Sequence, residues 1–141
     1  MQEVNADIKL EQILAKDTRY RREAYIFVRE ALDFTQKLIS RENRDKVRHV
    51  TGQELLDGIR QCALKDFGPM AVTVLEEWGV KHCSDFGEIV FNMIEVELLA
   101  KEERDNREDF QRGYDFTDAF RKPYWPQSKV QSETKSMTEL S

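Results

Sequence analysis

The sequence contains only two cysteines, three prolines and two histidines, and it has no long uninterrupted apolar run. The two cysteines are few and are not in a C-x-x-C pattern, so the sequence gives no support to a disulfide-built scaffold and predicts reduced thiols. No stretch approaches the roughly 18 apolar residues of a membrane-spanning helix, and the first residues lack the layout of a signal peptide. We therefore expect a cytoplasmic protein that does not associate with membranes.

Apolar and aromatic residues are nevertheless frequent enough for a folded core. Of the 141 residues, 40% are apolar, and the chain carries eight Phe, four Tyr and two Trp. This length suits one domain with a single core. The polar stretch QSKVQSETKSMTELS at the end has no apolar periodicity. The sequence predicts one helical domain over residues 1–125 and a disordered tail over residues 126–141.

Apolar residues recur at steps of three and four, the period of an amphipathic helix. The pattern predicts helices at 18–40, 52–67, 70–78 and 86–100, with a short helix before them. The inward residues expected in the short helix and in the first long helix are Ile8, Leu10, Ile13 and Leu14, then Tyr20, Ala24, Phe27, Val28, Ala31, Leu32, Phe34 and Leu38. The fold class is therefore all-α, a compact bundle of five or six helices.

Local signals mark where these helices begin and end. We expect Asp17 or Thr18 to cap the first long helix. Thr51 followed by Glu54 is a capping box, in which the hydroxyl and the carboxylate each accept a hydrogen bond from a free amide. The charged segment 41–50 before it indicates a solvated connection.

The tripeptide Asp-Phe-Gly occurs twice, at 66–68 and at 85–87. It is also a metal-binding signature of protein kinases, but the chain lacks the other kinase motifs. We interpret the first copy as a helix end, with Gly68 left-handed and Pro69 in the first turn of the next helix. We interpret the second copy as a helix start, capped by Ser84 or Asp85 and closed by Glu88.

The helix between the two copies presents an apolar side that we expect to face the core. Its members are Met70, Ala71, Val74, Leu75 and Trp78. Aromatic residues then return near the end of the domain, where we expect a strap across the helices, with a short helix near Thr117 to Arg121 and short strands within 105–116 as an alternative. The strap residues are Phe110, Tyr114, Phe116, Phe120, Tyr124 and Trp125.

Candidate catalytic and metal-binding residues are few. A metal site needs three or four converging ligands, and no standard spacing joins His49, Cys62, His82 and Cys83. The sequence thus predicts no metal and no cofactor. Cys62 falls on an apolar helix side, so the adjacent pair of His82 and Cys83 is the one candidate for thiol catalysis.

Charge is distributed unevenly along the chain, whose net charge is −5. Residues 18–48 carry nine Lys or Arg and five Asp or Glu, a balance of +4, whereas residues 85–120 carry four and eleven, a balance of −7. The basic part can dock on the acidic part or bind an anionic partner, and the internal pairing is the favoured interpretation. The candidate surface for a partner or a nucleic acid is Arg19, Arg22, Arg29, Arg44, Lys46 and Arg48.

Four blocks of the sequence also resemble a family. They are RYRREAYIFVREAL, HVTGQELLDGIRQCALKDFGPMAVTVLEEWGV, DFGEIVFNMIE and REDFQRGYDFTDAF. In this order they resemble a small family of hypothetical proteins found mainly in planctomycetes and verrucomicrobia. The resemblance covers about residues 10–121 and implies no activity.

These observations favour a non-catalytic partner-binding or regulatory protein with a protein partner, and they leave the oligomeric state open. One alternative is nucleic-acid binding through the basic amino-terminal half, with residues 51–99 arranged like a winged helix-turn-helix. The helix that would enter the groove is acidic, which opposes this reading. The second alternative is an enzyme that uses His82 and Cys83.

Overall fold

The structure, a computed structural model, describes residues 2–42, 50–99, 108–111 and 113–126. Its helices are α1 (Gln2–Lys16), α2 (Arg22–Glu42), α3 (Gly52–Phe67), α4 (Ala71–Glu77), α5 (Cys83–Glu95) and the single turn α6 (Glu108–Gln111). The predicted all-α class is confirmed, since the described residues form no strand, including those that fall within 105–116. None of the described helices is long and apolar enough to cross a bilayer.

Helix α1 packs one side against the bundle. Leu10 and Ile13 are buried as predicted, and Leu14 is half-buried. The prediction for Ile8 was wrong, because 52% of this residue is exposed. At 100° per residue, Ile8 lies about 200° around the helix from Leu10, so the two residues cannot face the same neighbour.

Helix α2 begins at Arg22, four residues later than predicted. Asp17 does not cap it, because the Asp17 carboxylate accepts hydrogen bonds from Arg19 and Asn92 instead. Residues 17–21 form a turn that we call the α1–α2 turn, and the Arg21 amide donates to the Trp78 carbonyl at 3.1 Å. The buried residues of α2 include three that the pattern did not single out; the full set is Ala24, Tyr25, Phe27, Val28, Ala31, Thr35 and Ile39.

Helix α3 has the predicted bounds and the predicted capping box. The Glu54 amide donates to the Thr51 hydroxyl at 3.1 Å, and the Thr51 amide donates to the Glu54 carboxylate at 3.0 Å. Gly58 lets α2 approach closely, since a Cβ there would collide with the Thr35 side chain. Val50, predicted in a solvated connection, is buried, whereas residues 43–49 lie outside the described part.

The turn between α3 and α4 differs from the prediction in one detail. Gly68 has a positive φ of 56° but a ψ of −135°, outside the left-handed helical region, and Gly68–Met70 form a 3-10 turn. This turn interrupts the helical period, so Met70 is 54% exposed rather than inward. Trp78 is half-buried and packs on Phe27 and Phe67, with ring centroids 5.8 Å and 5.5 Å away.

A glycine that no other residue could easily replace lies two residues beyond the end of helix α4. Gly79 has a φ of 93°, and its neighbours form two hydrogen bonds of a Schellman motif: Gly79 amide to Glu76 carbonyl and Val80 amide to Leu75 carbonyl. A Cβ on Gly79 would collide with the Arg19 carbonyl. Gly79 thus brings the α1–α2 turn into direct contact with the end of α4.

Helix α5 starts earlier and ends earlier than predicted. His82, rather than Ser84 or Asp85, precedes the first helical residue, and Asp85 accepts a hydrogen bond from the His82 amide at 3.1 Å. The helix ends at Glu95, and Glu97 takes a left-handed φ of 64°. The Leu98 amide donates to the Met93 carbonyl at 2.8 Å, which is the Schellman pattern with glutamate where glycine is usual.

The strap is present as a set of short helical turns, with a π-helical turn at Thr117–Arg121 followed by a 3-10 turn at Lys122–Tyr124. Phe110, Phe116 and Phe120 are buried in the main core. Tyr124 and Trp125, the last two aromatic residues of the predicted strap, are 47% and 44% exposed. Of the predicted tail over residues 126–141, residues 127–141 lie outside the described part of the chain.

Candidate functional site

The predicted basic surface is divided by the fold. Arg19 lies in the α1–α2 turn, where its guanidinium pairs with Asp17 at 2.7 Å and with Glu88 at 3.3 Å. Arg22, the first residue of α2, pairs with Glu11 of α1. Arg29 is exposed, and none of the described carboxylates lies within ion-pair distance of it. Three further members, Arg44, Lys46 and Arg48, lie outside the described residues.

One ion pair, Arg19 with Glu88, joins the basic stretch at 18–48 to the acidic stretch at 85–120, and two lysines that precede the basic stretch contact the same acidic stretch. Besides the pair of Arg19 and Glu88, the Lys16 ammonium lies 2.9 Å from the Glu95 carboxylate of α5, and the Lys9 ammonium donates to the Glu97 carbonyl at 3.4 Å. These contacts join α1 and the α1–α2 turn to the acidic residues Glu88, Glu95 and Glu97. They are exposed, and each contributes little stability by itself.

A more buried polar network lies beneath these pairs. The Asp17 carboxylate accepts hydrogen bonds from the Arg19 amide and guanidinium and from the Asn92 side-chain amide. The Arg19 guanidinium and then Asn92 hold the pKa of Asp17 well below its usual range. Asn92 also donates to the Tyr25 hydroxyl at 3.0 Å. We call Asp17, Arg19, Tyr25 and Asn92 the polar network.

A second long-range hydrogen bond ties the same turn to the start of α5. The Tyr20 hydroxyl donates to the Asp85 carboxylate at 2.6 Å, while Asp85 also accepts from the Lys81 and His82 amides. Burial, followed by the hydrogen bond to Asp85, raises the pKa of Tyr20. Asp85 therefore stabilises both the start of α5 and the α1–α2 turn. These structural contacts explain the hydrogen bonds of its carboxylate, and no catalytic role is needed to explain them.

The two residues of the candidate catalytic pair, His82 and Cys83, differ in their exposure to solvent. His82 is exposed, whereas Cys83 is buried and its thiol donates to the Tyr114 carbonyl at 3.4 Å. Burial raises the pKa of the Cys83 thiol to about 11. Since the nucleophile is the thiolate, a raised pKa works against catalysis. The two residues border a surface depression of about 540 Å³ together with Tyr114 and Asp115.

Gly113 packs directly on the Cys83 side chain. A Cβ on Gly113 would lie 2.5 Å from the Cys83 sulfur, which shows how closely the backbone covers the thiol. The Tyr114 hydroxyl donates to the Leu56 carbonyl at 2.7 Å and so fixes this backbone on α3. Among the described residues, no three His, Cys, Asp or Glu side chains come together as a metal site. His49 lies outside them.

Three exposed hydrophobic side chains lie at one end of the molecule. The turn that carries Met70 contacts the π-helical turn of the strap, and the Tyr124 hydroxyl lies 3.8 Å from the Cβ position of Gly68. Trp125 follows Tyr124 and lies under the Lys122 ammonium, 5.8 Å from the ring centroid. We call Met70, Tyr124 and Trp125 the aromatic surface. The sequence pattern predicted that Met70 faces the core and placed Tyr124 and Trp125 in the strap.

The opposite end of α3 borders an apolar pocket. Its volume is about 190 Å³, and α2, α3, α5 and α6 all contribute to its walls. The residues around it are Leu32, Gln36, Val50, Thr51, Gly52, Leu55, Val90, Phe91, Ile94, Leu99 and Phe110. The sequence did not predict this pocket, because patterns of neighbouring residues do not determine how α2, α3, α5 and α6 pack against one another.

Comparison with known proteins adds no family: no family model, no curated protein and no solved structure matches the chain. The resemblance to hypothetical proteins of planctomycetes and verrucomicrobia therefore stays a prediction.

Proposed function

We propose that this protein is a non-catalytic partner-binding protein, and that a protein partner docks on the aromatic surface. The observation that supports the proposal is the exposure of Met70, Tyr124 and Trp125 at one end of the fold, at 54%, 47% and 44%. Tyr, Trp and Met are enriched in the buried centres of protein interfaces. Trp and Tyr are also frequent among the residues that dominate binding energy.

Grouping distinguishes this surface from ordinary exposed hydrophobic residues. The remaining large hydrophobic side chains exposed in the described chain are Ile8 on α1 and Ile26 on α2. Isolated exposed hydrophobic residues are normal in soluble proteins, whereas a contiguous patch indicates an interaction site. Pro69 and Lys122 next to the patch are exposed as well, so a partner can reach it from the solvent.

A non-catalytic role agrees with the chemistry of the described side chains. The Cys83 thiol is covered and has a raised pKa, and the carboxylate with the most strongly shifted pKa, Asp17, is occupied by Arg19 and Asn92. We place the protein in the cytoplasm, because Cys62 and Cys83 are both free thiols.

Nucleic-acid binding through the basic amino-terminal half is the second candidate. The observation that favours it is exposed Arg29, which has no ion-pair partner among the described residues. Against it, Arg19 and Arg22 already pair with carboxylates of the same chain, and the chain as a whole carries a net charge of −5. Such a charge repels polyanions.

The test is affinity capture from the native cell with and without nuclease, using wild type and two glutamine variants. Trp125→Gln changes the aromatic surface, and Ile26→Gln is the matched control because Ile26 has the same exposed fraction, 44%. We expect a protein that wild type and Ile26→Gln retain, that Trp125→Gln loses, and that nuclease does not release.

Two results would contradict the proposal. In the first, every captured protein binds Trp125→Gln as well as wild type. In the second, capture disappears with nuclease and with Arg29→Glu, which would favour the nucleic-acid alternative.

A further inference from the structure

The apolar pocket lies far from the aromatic surface. Val50, Thr51 and Gly52 line it at the amino-terminal end of α3, whereas the aromatic surface adjoins Gly68 just beyond the carboxy-terminal end. Sixteen helical residues separate the two sites, which corresponds to about 24 Å at 1.5 Å per residue. A partner docked on the aromatic surface therefore does not account for the pocket.

The lining of the pocket excludes charged ligands. Gln36 and Thr51 are the polar side chains among the described lining residues, Gly52 has no side chain, and the other eight residues are apolar. None of these eleven described lining residues carries a charge. Moving a charged group into such surroundings without a counter-ion is strongly unfavourable, so the pocket suits an uncharged molecule.

The walls of the pocket are fixed before any ligand arrives. The capping box of Thr51 and Glu54 holds the first turn of α3, and Leu55, Val90 and Phe110 belong to the buried core. Leu32, Phe91 and Ile94 are half-buried and leave the pocket partly open. Binding to a preformed pocket avoids the entropy cost of ordering a site.

The volume sets the size of the ligand. A dry cavity of about 150 Å³ with aliphatic and aromatic walls takes up benzene in a well-studied engineered lysozyme. The pocket here, at about 190 Å³, has room for a somewhat larger group. We propose that the apolar pocket binds a small uncharged molecule that consists of one aromatic ring or one branched alkyl group.

Methyl NMR with toluene as the probe tests this site directly. Leu32, Leu55, Val90, Ile94 and Leu99 supply methyl groups around the pocket, and Leu75 in α4 supplies a buried reference methyl outside it. We expect saturable shifts confined to the pocket methyls, with a Kd of about 1 mM or lower, as suits a ligand of so few atoms. Benzoate, the same ring with a charge, should produce no such shifts.

Two variants that fill the pocket provide independent checks. Leu32→Phe and Val90→Phe add volume from α2 and from α5 and should weaken toluene binding about tenfold or more, because the ring then has no room. Val74→Phe, at a half-buried position of α4 outside the pocket, should bind toluene as wild type does. Leu32 is half-buried, so its variant tests the site even if Val90→Phe fails to fold.

Three outcomes would overturn the proposal. The first is the absence of saturable shifts up to the solubility limit of toluene. The second is a set of shifts spread over methyls remote from the pocket, such as Leu75. The third is binding without the expected selectivity, which means toluene binding that the folded Leu32→Phe variant retains or benzoate binding that matches toluene binding.

Discussion

Two irregular segments pack on α5 by different physical means. The α1–α2 turn is held by polar contacts: Asn92 of α5 donates to Asp17, and Tyr20 donates to Asp85. The strap is held by aromatic packing, in which the Phe116 ring lies 5.9 Å from Phe86 of α5 and 5.1 Å from Phe120. An irregular segment is thus fixed on the bundle by charge and hydrogen bonds together with the buried Tyr20 ring in one place, and chiefly by aromatic burial in the other.

This difference bears on function. Asp17, Arg19 and Tyr20 of the α1–α2 turn bind partners within the chain through their side chains, whereas Thr18 and Arg21 are exposed. The strap buries Phe116 and Phe120 but leaves Tyr124 and Trp125 exposed. The proposed partner would bind at the end of the strap, and the two segments should respond differently to core truncation, backbone strain and pH.

The largest effect is expected in the strap. Phe120 is fully buried and contacts the rings of Tyr114 and Phe116, so Phe120→Ala should lower the free energy of unfolding by about 3–5 kcal/mol. Urea unfolding followed by circular dichroism measures this loss. Exposed Thr117 in the same turn is the control, and Thr117→Ala should change stability by less than about 0.5 kcal/mol. A Phe120→Ala loss below about 1 kcal/mol would show that the strap is not held by its aromatic core.

Backbone strain should have the next largest effect, at the contact of the α1–α2 turn with α4. Gly79→Ala places a Cβ against the Arg19 carbonyl at a φ of 93°, and we expect a loss of about 2–4 kcal/mol. Gly68 also has a positive φ, but its Cβ position meets no atom closer than 3.8 Å. Gly68→Ala should therefore cost only about 1–2 kcal/mol. Equal losses at the two glycines, measured by urea unfolding, would mean that the contact with Arg19 is unimportant.

The stability contributed by the α1–α2 turn should depend on pH, because this turn contains the Asp17 carboxylate, whose pKa is shifted by folding. The pKa of Asp17 is lowered on folding, so the unfolded chain binds more protons and stability falls as pH drops below the ordinary value of 3.8. Asp17→Asn should cost about 1–3 kcal/mol at pH 7, because charged hydrogen bonds are lost. It should also flatten the acid side of the profile.

The control for this prediction is Asp33→Asn, at an exposed position of α2. Thermal unfolding between pH 2.5 and pH 7, a window chosen to span the ordinary carboxylate range of about 4, compares the variants with wild type. If Asp17→Asn keeps the wild-type acid profile, the polar network does not stabilise the turn.

The smallest effect is expected at the end of α5. Glu97 occupies the left-handed position of a Schellman motif with a φ of 64°, where α4 uses Gly79. Glu97→Gly relieves this strain and should raise stability by about 0.5–1 kcal/mol, after the greater entropy of glycine in the unfolded chain is subtracted. Urea midpoints measure the gain. A loss of stability would show that the Glu97 side chain contributes more than its backbone strain costs.

Local patterns in the sequence predicted the features that depend on neighbouring residues. The bounds of α3 follow from the capping box of Thr51 and Glu54 and from an uninterrupted helical period. Met70 was misplaced because the period was extended through a turn that is 3-10 rather than α-helical. The α5 start was misplaced because the Asp85 side chain accepts from the His82 amide, which a search for capping residues alone does not distinguish from a cap.

Features that join distant parts of the chain had no local signal. Asn92 and Asp17 are 75 positions apart. The residues next to Asn92 and next to Asp17 form no pattern that predicts a hydrogen bond between the two side chains. The exposure of Trp125 depends on where the strap ends on the bundle, which composition does not reveal. For the same reason, the charge count did not show that two of the three described members of the candidate basic surface, Arg19 and Arg22, have partners within the chain while Arg29 is exposed.

The most direct test of partner binding through the aromatic surface is site-specific photocrosslinking in the native cell. A photoreactive phenylalanine analogue placed at position 125 should give a crosslinked product with one protein of defined mass, and the product should persist after nuclease treatment. The same analogue at position 26, equally exposed in the wild-type fold, should give no such product. A product that forms equally from both positions, or from neither, would contradict the account.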